Sequence, residues 1–320
     1  MVERWAVEAA ALTKSYGDVR VLDGVDLRVA AGTLVALLGS NGAGKTTTVR
    51  ILTTLVAADG GSARVGGYDV VSQRHEVRRT ISLTGQYAAV DEPLTGVENL
   101  VMVGRLCGLS RRAAHNRADE LLERFDLTAA ADRRVGTYSG GMRRRLDIAA
   151  GLVGRPSVIF LDEPTTGLDP RSRQSLWEVV AELVRSGVSA LLTTQYLEEA
   201  NQLADRVAVL DGGRVVAEGT AAELKHQVAG ERLDLVATSR ERFDLLVTRL
   251  GARALHADPH ELVLGVPTDG SAAHVRSLLD ELDPDGRSVA RFSVHTATLD
   301  DVFLALTGTA VRATEEPAHA

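Results

Sequence analysis

Short apolar runs alternate with longer amphipathic segments over the first two thirds of the chain. Residues 33–38 read Thr-Leu-Val-Ala-Leu-Leu between two glycines, which is typical of a strand buried on both faces of a sheet. Similar runs predict strands at 81–83, 158–161, 188–192 and 207–210, and helical patterns separate them at 45–55, 95–106, 110–125, 140–153, 172–186 and 196–204. This alternation predicts an α/β fold with a largely parallel sheet covered by helices.

A smaller part of this region has the pattern of antiparallel strands. Segments 5–12 and 25–29 are candidates near the start of the chain, and strands at 206–210 and 213–218 are joined through Asp211-Gly212. An Asp-Gly pair between two apolar runs favours a tight hairpin turn. We therefore expect a mixed sheet rather than a purely parallel one.

The order of elements changes after about residue 228. The pattern predicts strand 232–238, helix 239–250, strands 252–256 and 261–266, helix 270–282, strand 287–294 and a last helix 298–307. A βαββαβ order is that of a small ferredoxin-like α+β domain. We expect a first domain at 1–228 with a helical subdomain at about 87–153, an accessory α+β domain at 229–308 and a disordered tail at 309–320.

The composition of the 320-residue chain restricts the class of protein. Hydrophobic residues make up 45% and charged residues 25%, which are ordinary values for soluble globular domains. The formal net charge of -7 argues against binding to nucleic acid by general charge attraction. Cys107 is the only cysteine, so an intramolecular disulfide cannot form and a reducing compartment is expected. The apolar runs are far shorter than the ~20 residues of a membrane helix, so we expect another chain to span any membrane that this protein serves.

A phosphate-binding motif follows the apolar run at 33–38. The residues Gly39-Ser40-Asn41-Gly42-Ala43-Gly44-Lys45-Thr46 fit the pattern G-x-x-x-x-G-K-[ST] between a strand and a helix start. Glycines let consecutive backbone N–H groups point at phosphate oxygens, and the helix N-terminus adds favourable partial charge. As in P-loop NTPases generally, Lys45 would neutralise the β- and γ-phosphates and the Thr46 hydroxyl would ligate Mg²⁺. The motif therefore predicts binding of a nucleoside triphosphate together with Mg²⁺.

Two carboxylates end the strand predicted at 158–161. Asp162 and Glu163 follow four apolar residues, at the edge of the sheet where open parallel sheets bind their ligands. Asp162 would hold Mg²⁺ through water, and Glu163 would orient and polarise an attacking water. Taken alone, the pair also fits an ordinary strand end, and it gains significance from the phosphate-binding motif.

The third motif is Tyr138-Ser139-Gly140-Gly141-Met142, which precedes three arginines. Locally it is a helix start with Ser139 as the N-cap. A serine and two exposed N–H groups at a helix N-terminus also form a second phosphate-binding surface. This run resembles the signature of the ATP-binding-cassette (ABC) ATPases, and the order of the motifs also matches that family. The resemblance covers about residues 1–226 and implies the P-loop NTPase fold of the ABC ATPases.

The resemblance to ABC ATPases implies roles for further residues. Tyr16 resembles the aromatic residue that stacks on adenine, and Gln86 resembles the glutamine that contacts Mg²⁺ and the attacking water. Gly167-Leu168-Asp169 resembles the loop that meets the opposite subunit. Catalysis is assigned to Glu163, Gln195, Gln86 and Lys45, and the Mg²⁺ site to Thr46, Gln86 and Asp162. ATP binding is assigned to Tyr16, the P-loop residues 39–46, Thr47, Ser139, Gly140 and Gly141.

One position departs from the pattern of most ABC ATPases. The strand that ends at Thr194 is followed by Gln195, where most members of the family have a histidine. A glutamine amide can donate a hydrogen bond to a γ-phosphate, but it carries no positive charge and exchanges no proton near neutral pH. We therefore expect slow hydrolysis whose pH profile lacks a histidine limb.

Segment 195–200, the methionine of the signature and the ending 299–308 resemble one subgroup, the daunorubicin-resistance type of drug-exporter ATP-binding subunit. That resemblance implies efflux of a hydrophobic drug or antibiotic through a separate membrane permease, powered from the cytoplasmic face of the membrane. Because one chain offers one P-loop and one signature, family geometry implies a head-to-tail homodimer with two ATP molecules between the chains.

Two other functions stay open at this point. The first is a soluble ABC ATPase that acts on nucleic acid or the ribosome, and the net charge of -7 weighs against it. The second is a non-hydrolytic nucleotide sensor or a drug-binding module, for which the exchange of histidine for Gln195 is the argument. The intact Lys45, Asp162 and Glu163 weigh against this second alternative.

Overall fold

The computed structural model describes residues 4–85, 89–228, 231–295 and 298–307. Its internal contacts divide the chain into two compact units, Met1–Ala221 and Ala222–Ala320. The domain limit expected at residue 228 lies at the end of the helix Ala221–Val228, whereas this division lies at the start of that helix. The domain limits expected from the sequence stay predictions. The tail that we expect to be disordered, 309–320, lies outside the described residues.

The first unit alternates strands and helices as the sequence predicts. Its strands are β1 (Trp5–Tyr16), β2 (Val19–Ala30), β3 (Leu34–Leu38), β4 (Gly60–Val65), β5 (Tyr68–Asp69), β6 (Ile81–Thr84), β7 (Val158–Asp162), β8 (Ser189–Thr194), β9 (Arg206–Asp211) and β10 (Arg214–Gly219). Its helices are α1 (Lys45–Leu52), α2 (Arg74–Thr80), α3 (Gly96–Leu106), α4 (Arg111–Arg124), α5 (Gly140–Leu152), α6 (Pro170–Arg185) and α7 (Leu197–Leu203).

The central sheet has the strand order β10-β9-β3-β8-β7-β6. The strands from β9 to β6 pair in parallel, and β10 pairs antiparallel with β9. Every residue of β3, β7 and β8 is buried, as expected for strands covered on both faces. The predicted α/β architecture with a mixed sheet is confirmed. Because β3, β8 and β7 are neighbours, their C-terminal ends meet at one edge of the sheet.

A second sheet is antiparallel and has the order β2-β1-β4-β5. β1 and β2 form a hairpin in which Tyr16 pairs with Val19, so both strands are longer than the predicted segments 5–12 and 25–29. The prediction was too short because the polar outer end of the hairpin pairs through its backbone and lacks an apolar alternation. The sequence pattern also does not predict β4 and β5, which are short and rich in glycine and polar residues.

Two helices differ from their predicted bounds for clear local reasons. α1 ends at Leu52 rather than at residue 55, because Thr54 has a positive φ of 65° that an α-helix cannot contain. α6 begins at Pro170, earlier than predicted, because the Asp169 side chain caps it and proline is favourable at the first helical position. Among the described residues, no helix has both the length and the apolar character needed to cross a membrane.

The second unit combines an antiparallel sheet with helices. Its elements are α8 (Ala221–Val228), apart from the first residue of that helix, β11 (Glu231–Ala237), α9 (Arg240–Leu250), β12 (His256–Asp258), β13 (Val263–Thr268), α10 (Ala272–Leu282), β14 (Val289–His295) and α11 (Leu299–Thr307). The strand order is β12-β13-β11-β14, and β11 to β14 follow the βαββαβ chain order of ferredoxin-like domains. The strand predicted at 252–256 is wrong in position, because a 3-10 turn at Gly251–Arg253 delays the strand to β12.

Candidate functional site

The P-loop residues 39–46 run from the end of β3 into the first turn of α1. Gly44 has a φ of 109°, and a Cβ at this position would lie 2.5 Å from the Leu22 side chain and 3.0 Å from the Val21 carbonyl oxygen. A Cβ at Gly39 would lie 2.5 Å from the carbonyl oxygen of Leu210. Only glycine fits these positions, because the loop packs directly against the backbones of β2 and β9. The loop is therefore held in the tight curve that an anion-binding turn needs.

Lys45, the first residue of α1, is only 4% exposed. Its Nζ donates to the carbonyl oxygens of Gly39 at 2.8 Å and Ser40 at 3.1 Å. The same Nζ lies 3.3 Å from Oε1 of Glu163. A buried ammonium group needs polar partners of this kind. The side chain thus folds over its own loop and carries its charge to the place where the motif predicts a phosphate group.

Asp162, at the end of β7, accepts two hydroxyl hydrogen bonds on Oδ1. The Oγ1 of Thr46 donates at 3.2 Å and the Oγ1 of Thr193 donates at 2.5 Å. Hydroxyl and carboxylate oxygens are hard ligands of the kind that Mg²⁺ prefers. The contact between Thr46 and Asp162 therefore fits the Mg²⁺ role that the sequence predicts for both residues.

Glu163 adopts a left-handed backbone conformation with a φ of 49°. Its N–H donates to the carbonyl oxygen and to Oγ1 of Thr193, each at 3.1 Å. A positive φ is unfavourable for a residue with a side chain, and it persists where the surroundings hold it, often at functional sites. The turn directs the Glu163 carboxylate to Lys45 at the P-loop.

Gln195 follows β8, the strand that runs between β3 and β7. The N–H of Gly39 donates to the carbonyl oxygen of Thr194 at 3.4 Å, and Gln195 is the next residue and half-buried. The glutamine therefore follows the strand that separates the P-loop from Asp162 and Glu163. This is the sheet position at which a contact to a γ-phosphate is predicted.

Tyr16 lies at the tip of the β1–β2 hairpin, and 46% of it is exposed. It pairs with Val19, two positions before Val21, whose carbonyl packs against Gly44. The Nζ of Lys14 lies 5.5 Å from the centre of the Tyr16 ring, within the range of a cation–π contact. The hairpin whose second strand packs against Gly44 therefore carries an exposed aromatic ring, as stacking on adenine would need.

The signature residues 139–141 begin α5, in another part of the first unit. The Oγ of Ser139 accepts a hydrogen bond from the N–H of Met142 at 3.2 Å, so the predicted N-cap is confirmed. Ser139 and Gly140 are exposed. Within the described residues, no hydrogen bond joins 139–141 to the P-loop. The structure thus does not combine the two predicted phosphate-binding surfaces into one site within the chain.

The start of α5 packs closely on the start of α6. A Cβ at Gly141 would collide with the Oγ of Ser172 and lie 2.7 Å from its Cβ. Ser172 donates from its N–H at 3.0 Å and from its hydroxyl at 2.6 Å to the carboxylate of Asp169. The hydrogen bond from the Ser172 hydroxyl, with that from its N–H, holds the pKa of Asp169 below its usual range. The signature and the loop that ends at Asp169 therefore form one packed surface.

Gln86, predicted to contact Mg²⁺ and the attacking water, lies outside the described residues, so its role stays a prediction. The backbone just before and just after segment 86–88 is described and is held by α5. The Nη1 of Arg144 donates to the carbonyl oxygen of Gly85 at 2.6 Å. The N–H of Ala89 donates to Oδ1 of Asp147 at 2.7 Å.

Glu199, in α7, is completely buried. Its Oε1 accepts a hydrogen bond from the indole N–H of Trp177 at 3.2 Å. Burial raises the pKa of the Glu199 carboxyl, because the charged form loses its hydration. The contact joins α7, which begins just after Gln195, to α6.

Three residues that hold the site were not found from the sequence: Thr193, Arg144 and Asp147. Thr193 is one of two threonines at the end of a buried strand, and nothing in the pattern separates the one that contacts Asp162. Arg144 and Asp147 stand three positions apart in α5, on either side of the buried Leu146. Two opposite charges at this spacing among apolar residues are the signal that could have revealed a buried ion pair.

Comparisons with known proteins agree with this geometry. Residues 22–166 match the family model for "ABC transporter". The daunorubicin/doxorubicin resistance ATP-binding protein DrrA of Streptomyces peucetius is 52% identical, over 98% of this chain and 96% of that protein. The doxorubicin resistance ATP-binding protein DrrA of Mycobacterium tuberculosis is 48% identical, over 94% of this chain and 93% of that protein. A solved ATP-binding subunit of an ABC transporter superposes with a TM-score of 0.62 at 31% identity, over 69% of this chain and 92% of that one. The chain therefore belongs to the ATP-binding proteins of the ABC transporter family and is an ABC-type ATPase.

Proposed function

We propose that this chain is the ATP-hydrolysing subunit of an ABC exporter, which drives a hydrophobic drug or antibiotic out of the cell through a separate permease. The supporting observation is the convergence of Lys45, Thr46, Asp162 and Glu163 at one edge of the sheet. The class of cargo follows from the relatives, whose names record resistance to daunorubicin and doxorubicin. The chain would act at the cytoplasmic face of the membrane as a peripheral subunit.

In this proposal each predicted site residue has its own task in ATP hydrolysis. Lys45 would bind the β- and γ-phosphates, and Tyr16 would stack on adenine. Thr46 and Asp162 would hold Mg²⁺, together with Gln86, and the ion would neutralise developing charge on the phosphates. Glu163 would orient and polarise the attacking water, and the Gln195 amide would donate a hydrogen bond to the γ-phosphate.

Two copies of the chain would complete each site. Ser139 and Gly140 are exposed at the start of α5 and have no described hydrogen bond to their own P-loop. Arranged head to tail, the signature of one copy would cover the γ-phosphate bound by the other copy. Because both copies would contact the same phosphate, ATP would favour the closed dimer and hydrolysis would favour its opening.

The function is tested first on the purified full-length chain. Phosphate release from ATP is measured with and without Mg²⁺, and Glu163→Gln is the control that keeps the fold but lacks the base. We expect Mg²⁺-dependent release from the natural chain and almost none from the variant. Absence of release from the natural chain, or equal release from both proteins, would overturn the proposal.

The transport step needs the permease. Candidate permeases encoded next to this chain would be reconstituted with it in lipid vesicles, and ATP-dependent movement of daunorubicin would be followed by fluorescence. We expect movement with the natural chain and none with Glu163→Gln. Hydrolysis that no candidate permease stimulates and that moves no drug would remove the exporter from the proposal and leave an ATPase.

A further inference from the structure

Arg144 and Asp147 form a buried ion pair on α5, the helix that begins with the signature. Each side chain is 6% exposed, and the Nη1 of Arg144 lies 3.3 Å from Oδ2 of Asp147. A buried ion pair commonly stabilises a protein no more than apolar residues of the same volume would. Stability alone therefore does not explain this ion pair, and its contacts with the surrounding segments indicate its role.

The guanidinium group connects α5 to the segment that follows the proposed catalytic base. The Nε of Arg144 donates to the carbonyl oxygen of Pro164 at 2.8 Å, and Pro164 directly follows Glu163. Nη1 donates at the same time to the carbonyl oxygen of Gly85 at 2.6 Å. A planar guanidinium can hold several acceptors in fixed directions, which a lysine ammonium on a flexible chain cannot do. Arg144 thus ties the Glu163 turn and the end of β6 to a single helix.

The carboxylates that affect the pKa of Arg144 include Asp162, a predicted ligand of Mg²⁺. Burial lowers the pKa of the guanidinium, and the carboxylates of Asp147, Glu199 and Asp162 oppose that effect. Burial likewise raises the pKa of Asp147, while the N–H of Ala89 and the charge of Arg144 act in the opposite direction. Among these carboxylates, Asp147 is the one in ion-pair contact with the guanidinium, at 3.3 Å.

We propose that Arg144, oriented by Asp147, is a positioning residue for ATP hydrolysis, because it fixes the Glu163–Pro164 turn relative to the signature helix. The inference rests on the proposed function and deepens it. In the head-to-tail dimer, Glu163 of one copy serves one ATP, and Ser139 of that same copy serves the other. Arg144 then connects the two ATP sites through the body of each chain.

The informative variant is Arg144→Lys, because it keeps a cation opposite Asp147 and removes the planar fork. We expect kcat for Mg²⁺-ATP to fall about tenfold, since small displacements of catalytic groups have large effects on rate. KM for ATP is expected to stay close to the natural value, because the P-loop contacts are unchanged, whereas the thermal midpoint should fall, because the carbonyl oxygens of Pro164 and Gly85 lose their donor. The matched control is Arg145→Lys on the same helix, where Nη1 donates to the carbonyl of Phe125 at 3.1 Å and kcat should be unchanged.

A second variant separates positioning from stability. The double variant Arg144→Gln/Asp147→Asn removes both charges and leaves no unpaired buried ion, so it keeps the proposal testable even if Arg144→Lys folds poorly. A purely structural role predicts that kcat recovers together with the thermal midpoint, whereas we expect kcat to stay low. Natural kcat in Arg144→Lys, or recovery in the double variant, would overturn this inference alone. A natural chain that releases no phosphate would overturn the proposed function and this inference with it.

Discussion

The P-loop and the signature are both helix N-termini with glycines, but they differ in burial and in hydrogen-bond partners. At the P-loop, Lys45 is buried, donates to Gly39 and Ser40 and lies beside Glu163. At the signature, Ser139 is exposed, and its described side-chain hydrogen bond caps only its own helix. The first motif is already in contact with the groups that the proposed hydrolysis would use. The second has the chemistry of a phosphate site and lacks a described catalytic group beside it.

The predicted site has two halves, the P-loop with its lysine and carboxylates and the signature. The difference between them shows that the chain assembles the P-loop half by itself. The carboxylates lie at the end of β7, and the lysine follows β3, which only β8 separates from β7 in the same sheet, so folding alone brings them together. The signature begins a helix in another part of the same unit, and folding leaves its serine facing outward. A second copy is the simplest source of the phosphate that this serine would bind.

The largest expected effect is at the completed half of the site. Glu163→Gln keeps the size and the N–H contacts to Thr193 but removes the proton acceptor, so kcat should fall by about 10²–10³-fold with little change in ATP affinity. Steady-state phosphate release measures the rate, and filter binding measures the affinity. Glu198→Gln, the same change at an exposed position nearby, serves as the control. A Glu163→Gln variant with more than a tenth of the natural rate would remove the base from its role.

A smaller effect, about tenfold in kcat, is expected at the exposed half. Ser139→Ala and Ser110→Ala each remove a serine that caps a helix with a 3.2 Å hydrogen bond. Both variants should lose about 1 kcal/mol of stability in denaturant unfolding. Only Ser139→Ala should slow hydrolysis and weaken ATP-dependent pairing of the chains in size-exclusion chromatography. Equal effects of the two variants on hydrolysis would reduce the signature to an ordinary helix cap.

Gln195, which follows the strand between the P-loop and the two carboxylates, should have a modest effect on rate and a clear effect on pH dependence. Gln195→Ala should lower kcat by a few-fold, because one hydrogen-bond donor to the γ-phosphate is lost. Gln195→His should give the pH–rate profile an inflection near the ordinary histidine pKa of about 6.5, which the natural chain lacks. The hypothesis fails if the natural chain already shows that inflection and Gln195→Ala abolishes it.

The smallest effect concerns stability rather than catalysis. Because the pKa of Glu199 is raised in the folded chain, the folded state binds this proton more tightly than the unfolded state does. The stability that this proton provides is complete below the unfolded pKa and is lost as the pH rises. Glu199→Gln keeps an acceptor for Trp177 and should flatten the fall in unfolding free energy as the pH rises above the ordinary glutamic acid pKa of 4.5. Parallel curves for the two proteins in urea unfolding would contradict the prediction.

The parallel sheet and the motif positions could be predicted because they depend on short-range patterns. Continuous apolar strands show two-sided burial, and the P-loop, Asp162 and Ser139 sit at strand or helix ends that the sequence marks. The outer end of the β1–β2 hairpin and the short β4, β5 and β12 could not be placed, since polar strands held by backbone pairing leave no periodic signal.

The supporting contacts of the site could not be predicted from the sequence, for a different reason. Thr193 contacts Asp162, and Arg144 contacts Pro164, across segments that are far apart in the chain. A single sequence reports local preference and not which distant carbonyl a given side chain reaches. The departure at Gln195 was visible in the sequence only through the family pattern.

The close approach of Gly141 to Ser172 has a consequence for evolution and engineering. Since Ser172 is tied to Asp169 and leaves no space for a methyl group at residue 141, a side chain at residue 141 would require the start of α6 to move. In the proposed head-to-tail dimer, a change at residue 141 would therefore need a matching change in the 167–172 segment. A swap of the signature between homologous cassettes should therefore succeed only when the 167–172 segment is exchanged along with it.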